Sequence, residues 1–83
     1  MAPRILLFTQ SGCLSCELMK IFLEAKKMAF EERNMSVDSA ARVELLETYH
    51  SHTAPTLVIF TAARPEVIEG FDPDRVDHLL SAA

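Results

Sequence analysis

With 83 residues, 49% of them hydrophobic, the chain is long enough for one core and too short for two, so residues 1–83 read as a single domain. Twelve acidic residues against eight basic ones leave a net charge of −4, and no run of like charges builds an electrostatic surface for nucleic acid. The longest apolar runs, Ile5–Phe8 and Leu57–Phe60, are far too short to span a bilayer.

At the N-terminus, Met1-Ala2-Pro3-Arg4 carries a positive charge but not the long apolar segment of a secretory signal, so a cytoplasmic protein with no membrane partner is expected. Ile5-Leu6-Leu7-Phe8 is apolar on both alternating faces, which predicts a central strand covered on both sides. Thr9-Gln10-Ser11-Gly12 turns the chain. From about Cys13 to Ala29, the residues Leu18, Ile21, Phe22, Ala25 and Met28 recur at helical spacing and predict a helix packed on that face. Lys20, Lys26 and Lys27 are interleaved with Glu17 and Glu24, the pattern of a solvated, salt-bridged helix surface.

Phe30 to Asn34 reads as a short polar edge strand. Asp38 can cap a second helix running to about His50, with Val43, Leu46 and Tyr49 as its packing stripe. Pro55 excludes helix, and Leu57-Val58-Ile59-Phe60 has the β-branched and aromatic character of a second buried strand. Thr61 to Pro65 connects it to a returning strand, Glu66-Val67-Ile68-Glu69, which Gly70 ends. Asp72-Pro73-Asp74 starts a last helix by capping, by proline at the first helical position and by favourable charge; Val76, Leu79 and Leu80 supply its packing face. The order is therefore βαβαββα.

The two cysteines, Cys13 and Cys16, lie where the first helix begins. A disulfide between them closes so small a loop that it constrains the unfolded chain little, which argues against a structural staple. At a helix start, unpaired N–H groups and the dipole favour an anion, so Cys13 is expected to ionise more readily than a free thiol and to act as nucleophile. Cys16, one turn further in, is expected to be less exposed and to resolve the mixed disulfide. The competing reading is a zinc or iron-sulfur module that combines the cysteines with His50 and His52. Histidines two apart depart from the usual zinc spacing, however, and they read better as a polar helix end, with His78 facing solvent.

Thr53-Ala54-Pro55-Thr56 directly precedes a buried strand, the place for a residue that lacks a ladder donor. If the Ala54–Pro55 bond is cis, the N–H and C=O of Ala54 are left free beside the thiols to pair with an extended substrate. Gly70-Phe71-Asp72 forms a turn, and free N–H groups at the last helix start are candidates to hold a carboxylate such as one from glutathione.

In Phe8-Thr9-x-x-x-Cys13-x-x-Cys16, Thr53-Ala54-Pro55 and Gly70-Phe71-x-Pro73-Asp74, taken in that order, the chain resembles the glutaredoxins and glutaredoxin-like redoxins over almost its whole length. The resemblance implies a thioredoxin-like fold of glutaredoxin type, an α/β four-stranded mixed sheet flanked by three helices, with a cis Pro55. It also implies Cys13 as nucleophile, Cys16 as resolving thiol, and substrate contacts from Thr53, Ala54, Pro55, Gly70, Phe71 and Asp72. No metal and no bound cofactor are expected; glutathione enters at most as a co-substrate.

Compared with the glutathione-dependent members, Leu14-Ser15 replaces proline and an aromatic residue, Gln10 replaces lysine, and Glu69-Gly70-Phe71-Asp72-Pro73 replaces paired glycines and paired aspartates. Ala54-Pro55 and the Gly70-Phe71 turn are more similar to the redoxins that draw electrons from thioredoxin reductase and pass them to ribonucleotide reductase, although Asp72 stands where those tend to be basic. The expectation is a monomeric thiol-disulfide oxidoreductase, a dithiol carrier that reduces protein disulfides and is fed by thioredoxin reductase or by the glutathione system.

Overall fold

The computed structural model describes residues 3–82; Met1 and Ala2, which open the N-terminal segment, lie outside the described residues. The elements are β1 (Arg4–Thr9), α1 (Leu14–Ala25), β2 (Glu31–Asn34), α2 (Ser39–Tyr49), β3 (Thr56–Phe60), β4 (Pro65–Glu69) and α3 (Pro73–Ala82). They build one four-stranded sheet in the order β2-β1-β3-β4, with β1 parallel to β2 and antiparallel to β3, and β3 antiparallel to β4. This is the thioredoxin-like mixed sheet expected for a βαβαββα chain. Among the described residues, no helix is long and apolar enough to cross a membrane.

Alternation along the two central strands divides the core. Ile5, Leu7, Leu57 and Ile59 face one way and pack with Met19 and Leu23 of α1 and Val76 of α3. Leu6, Phe8 and Val58 face the other way and pack with Met35 and with Ala41 and Leu45 of α2. Because both faces are covered, β1 and β3 need apolar residues at successive positions, which is why they read as unbroken hydrophobic runs. The outer strand β2 instead carries charge: Arg4 pairs with Glu31 at 3.0 Å and Arg33 with Glu44 at 3.1 Å. Charged side chains on an edge strand discourage further pairing.

Three details differ from the sequence expectations. First, α1 stops at Ala25 rather than near Ala29, because the chain reverses in a Schellman turn: the N–H of Lys27 bonds to the Glu24 carbonyl at 3.0 Å and that of Met28 to the Leu23 carbonyl at 3.0 Å. Lys27 occupies the left-handed position usually given to glycine, with φ 59°. Second, the buried face of α1 is Cys16, Met19 and Leu23, with Phe22 packed beside them, whereas Leu18 and Ile21 are 40% and 61% exposed. Third, α2 buries Ala41 and Leu45 rather than Val43 and Leu46, and Tyr49 alone of the expected stripe packs inward, with its ring 5.8 Å from that of Phe8. Both helices carry apolar residues on more than one side, so spacing alone did not reveal which side meets the sheet.

Of the charges interleaved along α1, Lys20 and Glu17 pair as expected, whereas the other ion pairs run to other elements. Lys20 meets Glu17 at 3.2 Å and Glu32 of β2 at 3.1 Å, and Lys26 pairs with Asp77 of α3.

Candidate functional site

The polypeptide leaves β1 at Thr9, passes through Gly12 in a left-handed conformation (φ 73°) and reaches Cys13, the N-cap of α1. The Cys13 sulfur takes the place of the capping oxygen and accepts the backbone N–H of Cys16 at 3.1 Å. The Ser15 hydroxyl lies 3.5 Å from the same sulfur. Cys13 and Cys16 are joined as a disulfide, with their Cα atoms 5.2 Å apart. Burial separates them: Cys13 is partly exposed, whereas Cys16 is 1% exposed and belongs to the packed face of α1.

The turn before β3 approaches these sulfurs. The Ala54–Pro55 peptide bond is cis, and the Ala54 carbonyl oxygen lies 4.0 Å from the Cys13 sulfur. The Pro55 carbonyl accepts the N–H of Gly70 at 2.7 Å, which ties the end of β4 to this turn. Thr53 is bound internally: its N–H reaches the Ser51 hydroxyl at 3.3 Å and its carbonyl accepts the Thr56 hydroxyl. Ala54 is thus the residue between them whose N–H, among the described residues, has no hydrogen-bond partner and whose C=O meets only the Cys13 sulfur.

Gly70 turns with φ 82°. Phe71 is packed, edge-on to Phe22 with ring centroids 6.2 Å apart. Asp72 caps α3 itself, its side chain accepting the Arg75 N–H at 3.2 Å and its carbonyl the Val76 N–H at 3.1 Å. The anion position that sequence reasoning offered to an external carboxylate is therefore filled by the chain's own. Beside it, a surface groove of about 630 Å³ between β4 and α3 is lined by Glu66, Asp72, Asp74, Arg75, His78 and Leu79, and Arg75 is drawn toward Glu66 at 3.9 Å. Among the described residues, no group of three or more His, Cys, Asp or Glu side chains is placed to hold a metal ion. His50 closes α2 as its C-cap, and His52 and His78 are exposed.

Sequence reasoning passed over two polar clusters that hold this site in place. Buried Thr9 donates its hydroxyl to Glu32 at 2.8 Å, and Lys20 donates to the same carboxylate oxygen at 3.1 Å. The Thr9 bond, then Lys20, hold Glu32 below the usual carboxylate range against the opposing effect of burial, and Glu32 in turn raises Lys20. The second cluster is Ser51, Thr56 and Glu69 behind the proline turn: the Ser51 hydroxyl is 3.0 Å from the Thr56 hydroxyl and donates to Glu69 at 3.0 Å. A threonine opening an apolar strand was a usable signal. Nothing local marked Ser51 or Glu69, because their partners are remote in sequence.

The family model described as glutaredoxin matches residues 5–61, which run from β1 through the cysteines and the proline turn to the end of β3. The chain belongs to the glutaredoxin family. Among solved structures, the thioredoxin-like protein BC3987 is 38% identical, with 92% of this chain and 99% of that one covered and a TM-score of 0.84. The glutaredoxin-like NrdH-redoxin from Escherichia coli, described as having a thioredoxin-like activity profile, is 26% identical over 92% of this chain and 93% of its own, with a TM-score of 0.73. Methanosarcina acetivorans methanoredoxin, 21% identical, covers 93% of this chain and 83% of its own with a TM-score of 0.79, a likeness of fold. A comparison with curated protein sequences found no match. The molecule is thus a glutaredoxin-family redoxin of thioredoxin-like fold that carries a Cys13–Cys16 pair.

Proposed function

We propose that this redoxin is a dithiol electron carrier that reduces protein disulfides. The observation that carries the proposal is the placement of Cys13, partly exposed at the start of α1 with its sulfur accepting the Cys16 N–H at 3.1 Å, against a fully buried Cys16. In the reduced form that N–H and the Ser15 hydroxyl favour the thiolate, which is the nucleophile.

The Cys13 thiolate attacks one sulfur of a substrate disulfide; the substrate S–S bond breaks, and the departing thiolate takes a proton from water. Cys16 then loses its proton and attacks the Cys13 sulfur, forming the internal disulfide and expelling the second substrate thiol. Two electrons pass to the substrate. Ala54, whose amide and carbonyl have no backbone partner among the described residues and whose carbonyl faces the Cys13 sulfur, is the group to pair with an extended substrate backbone, and Pro55 and Gly70 hold that segment in place. Thr53 and Phe71 support it from within rather than by contact.

Thioredoxin reductase is the electron donor this reading favours over glutathione, with ribonucleotide reductase as one recipient. Asp72 fills the start of α3, and in the adjoining groove the three carboxylates Glu66, Asp72 and Asp74 outnumber Arg75, itself drawn toward Glu66, which disfavours the carboxylates of glutathione. The similarity to a redoxin of thioredoxin-like activity profile supports the same choice.

The test couples insulin reduction to NADPH through either thioredoxin reductase or glutathione with its reductase. Turnover is expected in the first system, complete loss in Cys13→Ser, and accumulation of mixed disulfides in Cys16→Ser. Undiminished activity of Cys13→Ser refutes the assignment, and turnover with glutathione alone transfers the donor role to glutathione.

A further inference from the structure

The mechanism leaves one polar cluster unused, built on two buried hydroxyls, Ser51 and Thr56. Ser51 follows the C-cap of α2, and its N–H is fixed to the Leu45 carbonyl at 3.1 Å. Its side chain is 3% exposed, in a place an apolar residue could fill without hydrogen-bonding demands. Instead, its hydroxyl gathers three groups from separate elements. It donates to Glu69 at the end of β4 (3.0 Å), lies 3.0 Å from the Thr56 hydroxyl at the start of β3, and accepts the N–H of Thr53 at 3.3 Å. Thr56 completes the ring by donating to the Thr53 carbonyl.

Both hydrogen-bonding groups of the Thr53 backbone are consumed by this ring, while those of its neighbour Ala54 are left over beside the Cys13 sulfur. With the Ser51 proton given to Glu69 and the Thr56 proton to the Thr53 carbonyl, the two buried hydroxyls select one geometry, because any other leaves a desolvated hydroxyl unpaired. None of the buried side-chain polar atoms among the described residues lacks a partner.

We propose that Ser51 is a positioning residue for the exchange at Cys13: its hydroxyl, anchored on Glu69, holds Thr53 turned inward so that Ala54 presents its amide and carbonyl to an extended polypeptide substrate. The inference rests on the disulfide-reductase reading and specifies how a protein substrate is held. Ser51 touches no reacting atom; it acts through Ala54. A small disulfide with no backbone to pair bypasses this contact and reacts at Cys13 regardless.

The experiment measures kcat and KM with insulin and with a small aromatic disulfide for the wild-type protein and for Ser51→Ala, Glu69→Ala and Glu69→Gln. Thermal melting confirms that each variant is folded. Removing the hydroxyl is expected to raise KM for insulin by about tenfold, the effect of one hydrogen bond lost from a buried site, with kcat little changed. The rate with the small disulfide stays at the wild-type level. Glu69→Ala shows the same split, and Glu69→Gln, which still offers an oxygen to Ser51, restores KM. A folded Ser51→Ala protein with unchanged KM for insulin overturns the proposal, as does an equal loss with both disulfides. Should Ser51→Ala not fold, Glu69→Ala against Glu69→Gln decides, equal KM values for the two refuting the proposal. A wild-type protein inactive toward both disulfides instead refutes the disulfide-reductase reading itself.

Discussion

Replacing Thr9 by valine tests whether the turn into Cys13 is held from below by charge. The two side chains are nearly the same shape, and Thr9 is 1% exposed, so the change removes a hydroxyl from a packed site without opening a cavity. What is lost is the 2.8 Å hydrogen bond to Glu32, the largest influence keeping that carboxyl below its usual range. A hydrogen bond to a charged group contributes roughly 1.5–3 kcal/mol. Here the Glu32 side chain is 34% exposed and keeps Lys20 at 3.1 Å, and the added methyl gains some apolar burial, so about 1 kcal/mol of net destabilisation at neutral pH is expected.

The pH dependence carries the sign. A carboxyl whose folded-state value is depressed stabilises the protein above its unfolded value, and that stabilisation disappears as pH falls through the folded value. The gap between wild type and Thr9→Val should therefore be widest at neutral pH, about 4–8 °C in Tm for a domain of this size, and should narrow once Glu32 is protonated. Melting curves followed by circular dichroism at pH 7 and at pH 3, each protein held in the same redox state, measure it. A gap equally wide at both pH values, or a variant that melts higher at pH 7, would contradict the account.

Three further outcomes follow from single contacts. Lys27→Gly should raise stability by about 0.5–1 kcal/mol, since Lys27 holds a left-handed φ of 59° that glycine adopts freely; denaturant titration checks it, and a lower midpoint rejects the turn geometry. Leu57→Ala removes a fully buried side chain from central strand β3 and should cost about 2–5 kcal/mol in the same titration, a loss under about 1 kcal/mol being incompatible with its packing against α1 and α3. Asp72→Ala deletes the cap of α3 and should cost about 0.5–2 kcal/mol by thermal melting, whereas Asp72→Asn, which keeps a capping oxygen, should stay near wild type.

The order of elements and the place of the cysteines were determined by the sequence itself, because their signals are local. Proline at positions 55 and 73, aspartate at 38 and 72, and the unbroken apolar runs of β1 and β3 each restrict the backbone or its hydration within a few residues. The place of Cys13 at the start of the first helix was legible for the same reason, since a helix start is a local event. Only the tertiary structure decided which side of α1 and α2 is buried, because both helices offer apolar residues on more than one side and the choice belongs to the sheet they meet. Packing also decided that Thr9 would reach Glu32. It further decided that Ser51 would join Glu69 and Thr56 behind the proline turn. The last two depend on pairing strands and a helix end distant in sequence, and a hydroxyl carries no mark of its partner until the fold brings that partner within 3 Å.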